Sequence, residues 1–276
     1  MKKLIILLFI PLVFACSDDK KNDLDELNLN GKVKSLKETT YSAVEKFGEP
    51  VKDEFKTQYV YYFNEDGFIK EIDTFNESGK LDEKWKNKFD DDGNLIEANR
   101  YNKDGELEEK WKNKFDYDGN WIKQNKYDKD GELIEKWKNK FDDDENMIES
   151  NRYNKDGVLE EKWKFKFDDD GNRIEQNQFN KDGELSRWSA KYDDDGNIIE
   201  SNRYNKDGVL QEKWKYKYDD DGNRIEQNQF NKDGELMFKT EYEYKEFDRE
   251  KNWLTRISYE DGKATEIVER EIEYYD

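Results

Sequence analysis

Evenly spaced turns constrain this chain more than any other feature. Glycines recur at Gly67, Gly79, Gly93, Gly105, Gly119, Gly131, Gly157, Gly171, Gly183, Gly196, Gly208, Gly222 and Gly234. Glu145 stands at the one place in the series where glycine is missing. With Glu145 counted, the intervals alternate between 12 and 14 residues except for one of 13 after Gly183, so the true period is 26 residues and holds two unlike halves. A fixed period of this size marks a repeat architecture. Each interval has room for one strand and one tight turn. Residues 63–240 therefore read as tandem β-hairpins, and the fold class is all-β: an extended, coiled antiparallel β-meander.

One unit shows the chemistry. Residues 89–115 read FDDDGNLIEANRYNKDGELEEKWKNKF, with turns at D-D-D-G-N and N-K-D-G-E. Asn or Asp three residues before Gly suits a type I turn closed by a bulge, because the glycine accepts a left-handed backbone and the first side chain caps the turn. This loop pairs Asn102 with Glu106 and Tyr101 with Leu107. Uninterrupted pairing would then set Arg100 against Glu108, Ala98 against Lys110 and Glu97 against Trp111; the next turn pairs Phe115 with Trp121. Alternation places Leu107, Glu109, Trp111, Asn113 and Phe115 on one face, and Glu108, Lys110, Lys112 and Lys114 on the other. The same register puts Leu95, Glu97, Asn99 and Tyr101 on the aromatic face. Trp85, Trp111, Trp137, Trp163 and Trp214 occupy one position in successive units and form a candidate aromatic binding ladder. Ile96, Ile122, Ile148, Ile174, Ile199 and Ile225 are the apolar element of the charged face.

About fifteen strands or more would span roughly 70 Å, and open twisted sheets of that size curl. The aromatic face is expected to curl inward, which makes the Trp ladder either a narrow core or a ligand platform. One irregularity lies near Gly183: Leu107 to Trp111 is four positions, but Leu185 to Trp188 is three. That predicts a shortened loop or a break in twist. Residues 32–62 read as capping strands joined around Phe47 to Val51, and residues 241–276 as three closing strands with charge protecting the edges.

The N-terminus carries a different message. Lys2 and Lys3 precede an apolar run from Leu4 to Phe14, too short to span a bilayer and suited to a signal peptide, so residues 1–16 read as a targeting segment. It ends in V-F-A-C at Cys16, the single cysteine. This resembles a bacterial lipobox, which implies lipidation of Cys16 and a membrane partner through that anchor. The acidic run after it resembles the surface-export signal of Bacteroidota lipoproteins, which implies an outer-membrane lipoprotein exposed on the cell surface. Residues 17–31 read as a flexible tether.

Composition narrows the function. Without Lys2 and Lys3 the chain has 47 basic and 69 acidic residues, a net of −22. Nucleic acid needs a positive footprint and is excluded as a partner. With no histidine and one cysteine, His-based catalysis, disulfides and Cys/His metal sites are out of reach. The D-x-D-G turns fail as EF-hand loops: aligned on Gly131, positions one and twelve would be Lys126 and Trp137. No carboxylate pair stands apart from its repeat copies, so the reading is no enzyme, no metal and no cofactor.

The half-units KYDDDGNIIESNRY and KYDDDGNRIEQNQF resemble the YD repeats of RHS-type proteins, from Phe63 to about Lys239. The W-x-x-x-F/Y-x-x-x-G pattern is also similar to MORN-like repeats. The resemblance implies a surface lipoprotein of the Bacteroidota type. The functional expectation is a non-catalytic scaffold or binding module for protein or glycan. The alternatives are an accessory or antitoxin-like partner of a secreted toxin system, and a glycan-binding module in nutrient uptake.

Overall fold

The computed structural model describes residues 22–276. The lipobox, Cys16 and the signal segment lie outside them. A four-residue helix, α1 (Asp23–Glu26), precedes eighteen strands. These are β1 (Val33–Lys46), β2 (Glu49–Phe63), β3 (Ile69–Phe75), β4 (Leu81–Phe89), β5 (Leu95–Asn102) and β6 (Leu107–Phe115). They continue as β7 (Trp121–Asp128), β8 (Leu133–Phe141), β9 (Met147–Asn154), β10 (Leu159–Phe167), β11 (Arg173–Asn180) and β12 (Leu185–Tyr192). The last six are β13 (Ile198–Tyr204), β14 (Leu210–Tyr218), β15 (Arg224–Asn231), β16 (Leu236–Phe247), β17 (Trp253–Glu260) and β18 (Lys263–Tyr274). Every strand pairs antiparallel with its sequence neighbours, and β18 also pairs with β1. The meander is thus a closed ring.

The turns form as their chemistry dictates. Asn102 N–H donates to the Glu106 carbonyl at 3.0 Å, Gly105 N–H donates to the Asn102 carbonyl, and the Asn102 Oδ1 accepts from the N–H groups of Asp104 and Glu106. Gly105 has φ +79°. Tyr101 then faces Leu107, as expected. Beyond that pair the register departs from simple alternation: Arg100 faces Glu109, Ala98 faces Trp111 and Glu97 faces Lys112. Glu108 is an extra, bulged residue. Consequently Ala98 and Arg100 share the Trp111 face, while Glu97, Asn99 and Tyr101 point the other way. At the opposite turns Phe115 faces Trp121, as expected, but Lys114 faces Lys123, so Ile122 is bulged. Ile96, Ile148, Ile174, Ile199 and Ile225 occupy the same bulge in their units. Bulges raise local twist and bend the strand. Repeated at nearly every hairpin, they curl the sheet until its ends meet, and the edges that charge was expected to protect are paired instead.

The short unit near Gly183 keeps its loop intact. From Phe179–Leu185 to Glu175–Ser189 the β11–β12 pairing runs without a shift. The missing residue is the bulge itself, and its loss leaves Trp188 opposite Gln176, on the same face as its sister tryptophans.

Residues 22–31, read from sequence as part of a tether, pack against the ring. Leu24 and Leu29 are buried with Val33, Leu36, Phe63 and Ile69. Ile69 N–H donates to Asp23 Oδ2, and the Asn28 amide donates to Asn223 Oδ1 and to the Asp221 carbonyl. Asn252 grips the backbone of Asn30 in both directions, at 2.7 and 2.9 Å. The segment therefore lies across the ring end that carries the D-D-D-G-N turns. A cleft of about 320 Å³ remains there, lined in part by Asn28, Asn223 and Trp253.

Candidate functional site

The concave face of the ring is set by its tryptophans. Trp85 on β4 and Trp111 on β6 stand two strands apart, yet their rings stack with centroids 4.9 Å apart. Strands two apart are separated by about 9–10 Å, so these side chains converge on the inside of the curl. On β5 between them, Arg100 faces Trp85 and the small Ala98 faces Trp111, so the rings meet diagonally across the strand. Trp137 and Trp163 stack in the same way across β9, where Arg152 faces Trp137 and the small Ser150 faces Trp163. Over β7 and β11 the intervening residues are Gln124 and Gln176–Gln178, and no such stack forms between Trp111 and Trp137. The 26-residue period thus nests in a four-strand period that alternates small residues with glutamine. Of the five predicted ladder residues, Trp111 and Trp163 are buried, at 8% and 7% exposure, and Trp85, Trp137 and Trp214 are half-buried.

The inner face has two chemistries. In the first half it is neutralised by ion pairs. Arg100 bridges Glu83 at 3.0 Å and Glu109 at 2.8 Å, and Lys126 reaches Glu109 at 2.8 Å while lying over the Trp111 ring. Arg152 bridges Glu135 and Glu161. After the Asp-led turns at residues 90–94, 116–120 and 142–146, the first residue of each strand is apolar: Leu95, Trp121 and Met147. Asn113 and Asn139 clamp two of these backbones through their amides.

In the second half the first residue is Arg173 on β11 and Arg224 on β15, with the apolar Ile198 on β13 between them. The Arg173 guanidinium lies between Phe165 and Trp188, at 5.6 and 5.3 Å from the ring centroids. Arg224 lies between Tyr216 and Tyr242, at 5.7 and 5.4 Å. Arg256 covers the Tyr242 and Trp253 rings, and Arg270 stacks on Trp253 at 3.5 Å while pairing with Glu38. Tyr192, Tyr218 and Tyr244 hydroxyls take over the clamp on the backbone carbonyls of Arg173, Ile198 and Arg224. Among the described residues, Arg173 and Arg224 have no ion-pair partner, and the Nε of each is buried without a hydrogen bond. Burial holds the Arg173 guanidinium below its usual range, opposed by the nearby Tyr192.

The outer face is a lattice of Lys and Glu. Glu149 lies between Lys140 at 3.1 Å and Lys162 at 2.6 Å, and Glu200 and Glu226 repeat the arrangement. Lys112, Lys114, Lys138, Lys140, Lys164 and Lys166 are exposed. Among the described residues no group of three or more acidic side chains is arranged to hold a metal ion.

The consensus reading passed over Arg173 and Arg224. The signal was present in R-I-E-Q-N-Q-F, which occurs twice where earlier units begin with Leu, Trp or Met.

A family model described as an uncharacterised protein matches residues 138–274. No curated protein matches the chain. Among solved structures, a porin-like protein from Bacteroides uniformis is 12% identical over 88% of this chain and 99% of its own, with a TM-score of 0.46. A porin-like protein from Bacteroides vulgatus is 14% identical over 88% and 98%, with a TM-score of 0.27. The Photorhabdus luminescens Tc holotoxin pore is 10% identical over 83% of this chain and 15% of its own, with a TM-score of 0.36. At these identities no activity, ligand or partner is transferred.

Proposed function

We propose that this chain is a lipid-anchored, non-catalytic binding module displayed outside the cell, a β-repeat shell that takes protein or glycan. The observation that carries this reading is the division between the two faces of the ring. The convex face is covered with Lys and Glu, and a lysine at bilayer mid-depth on a lipid-facing strand costs about 2–4 kcal/mol. A lattice of them belongs in water, so the ring stands outside the membrane and needs a separate anchor, which Cys16 supplies. The concave face gathers aromatic rings, amides and guanidinium groups, the groups that bind extended polar ligands. A ring of eighteen strands falls in the size range in which barrels keep an aqueous lumen. Phe238, which faces Gln229 on β15 where earlier units carry a glutamate, is 54% exposed, in keeping with a wet interior.

Fractionation tests the anchor. Cys16→Ala should release the protein from the membrane fraction or leave it unprocessed, and a variant that fractionates and migrates as wild type does removes the lipoprotein reading. Protease treatment of intact cells tests display. A glycan and surface-protein array, read at low and high salt, tests binding; turnover of any arrayed substrate would end the non-catalytic assignment.

A further inference from the structure

We infer that the second half of the lumen is a binding site for a linear acidic saccharide, a sugar chain bearing carboxylates or sulfates, held by Arg173 and Arg224. The inference rests on the binding-module reading above and names its ligand class.

The two arginines are equivalent members of a duplicated device. Each opens a strand at the same turn, each lies between two aromatic rings contributed by the flanking strands, and each lacks a carboxylate partner among the described residues. Stacking fixes the plane of a guanidinium and leaves its in-plane N–H groups for an anion, which Arg recognises with two parallel hydrogen bonds. The rest of the chain treats inner cations differently. Arg100, Arg152 and Arg270 are all neutralised by glutamates of the ring. Among the described residues, no acidic side chain pairs with Arg173 or Arg224. A partly desolvated cation without a counter-ion is costly, and an anionic ligand removes that cost.

The surroundings select a sugar. Trp188, Tyr216 and Tyr242 offer ring faces, and Gln176 and Gln227, from the two R-I-E-Q-N-Q-F copies, share the inner face with them. Rings that pack on C–H surfaces, beside amides that bond hydroxyls, are the groups a saccharide needs. The length of the site selects a chain. Arg173 and Arg224 start strands four apart, about 19 Å along the sheet, a span that a chain of sugars bridges and a single inorganic anion does not.

The test is isothermal titration of the full chain, at fixed ionic strength, with oligogalacturonate, a sulfated oligosaccharide, a neutral galactose oligomer of equal length and inorganic sulfate. The expected result is binding of at least one acidic oligosaccharide, with the neutral oligomer and free sulfate at least tenfold weaker. Arg173→Gln with Arg224→Gln should weaken the acidic ligand at least tenfold while circular dichroism and melting stay near wild type. The conservative pair Arg173→Lys with Arg224→Lys should recover part of the affinity. Wild-type indifference to both acidic oligomers at millimolar concentration overturns the proposal, as does undiminished binding by the Gln variant. If the Gln variant fails to fold, the melting temperature of wild type decides: no rise with the acidic oligomers also overturns it. Binding of the neutral oligomer alone overturns the acidic assignment and leaves the binding-module reading standing.

Discussion

Two residues show how little of a turn or a latch is tolerant of change. Glu145 adopts φ +62° at a position where its sisters are glycine, and its N–H still donates to the Asp142 carbonyl at 3.2 Å. The turn keeps its geometry and the side chain bears the left-handed cost. Glu145→Gly should therefore stabilise the protein by about 1 kcal/mol in chemical denaturation, and a loss of stability would contradict that account. Asn252 is the latch, 1% exposed, with its amide bonded to both backbone groups of Asn30 and to the Tyr274 hydroxyl. Asn252→Ala leaves those groups without partners and should cost about 3 kcal/mol. The accompanying readout is faster proteolysis within residues 22–31; unchanged cleavage and stability would show that the segment holds without it.

Among the elements, the hairpin with one residue fewer explains the others. Its β11–β12 pairing lacks the bulge and still delivers Trp188 to the inner face. The bulged residue sets curvature, and the Trp–Phe spacing sets which face is which. Ile134 is the bulged residue of β8, between the pairs Tyr127–Leu133 and Lys126–Glu135. Deleting Ile134 should cost only about 1 kcal/mol, since the result imitates the short unit. Deleting Lys138 should be far worse, because a one-residue slip turns either Trp137 or Phe141 to the wrong face. Thermal unfolding of the two deletions compares them directly, and equal losses would mean that face and curvature are not separable.

For the whole molecule, the outer charges link stability to acid. Burial works against the charge of Glu149, but hydrogen bonds from Lys162, Asn151 and Lys140, with the charge of Lys162, outweigh it and hold the carboxyl at about 2 against an ordinary 4.5. Glu97, Glu175, Glu200 and Glu226 are lowered as well. A carboxylate lowered by folding contributes fully above its unfolded value and loses that contribution as pH falls through the folded one. Stability should therefore decline between about pH 4.5 and pH 2, with Glu149 contributing at most about 3 kcal/mol of the change. Glu149→Gln should flatten part of the decline in acid unfolding curves, and an unaltered slope would show the pair to be screened.

Much of this was legible in the sequence because turn chemistry is local. Asn102 and Gly105 fix their own hairpin through groups at most four residues apart, so the number of turns, the antiparallel order, the Tyr101–Leu107 and Phe115–Trp121 pairs and the face bearing Trp111, Asn113 and Phe115 follow from the pattern. The register beyond Leu107 does not, because whether Glu108 pairs or bulges depends on the curvature the whole sheet must reach. Ring closure is similarly a property of the accumulated twist: Glu38 meets Arg270 at 3.0 Å across 232 residues of sequence, and no local signal announces it. The docking of Asn28 and Asn30 onto Asn223 and Asn252 depends on that closure too. The Arg–aromatic sandwiches combine both levels. The sequence supplies Arg173 and Arg224 where neighbours carry apolar residues, and the tertiary structure brings Phe165, Trp188, Tyr216 and Tyr242 around them, since the rings that flank each guanidinium come from the strands on either side.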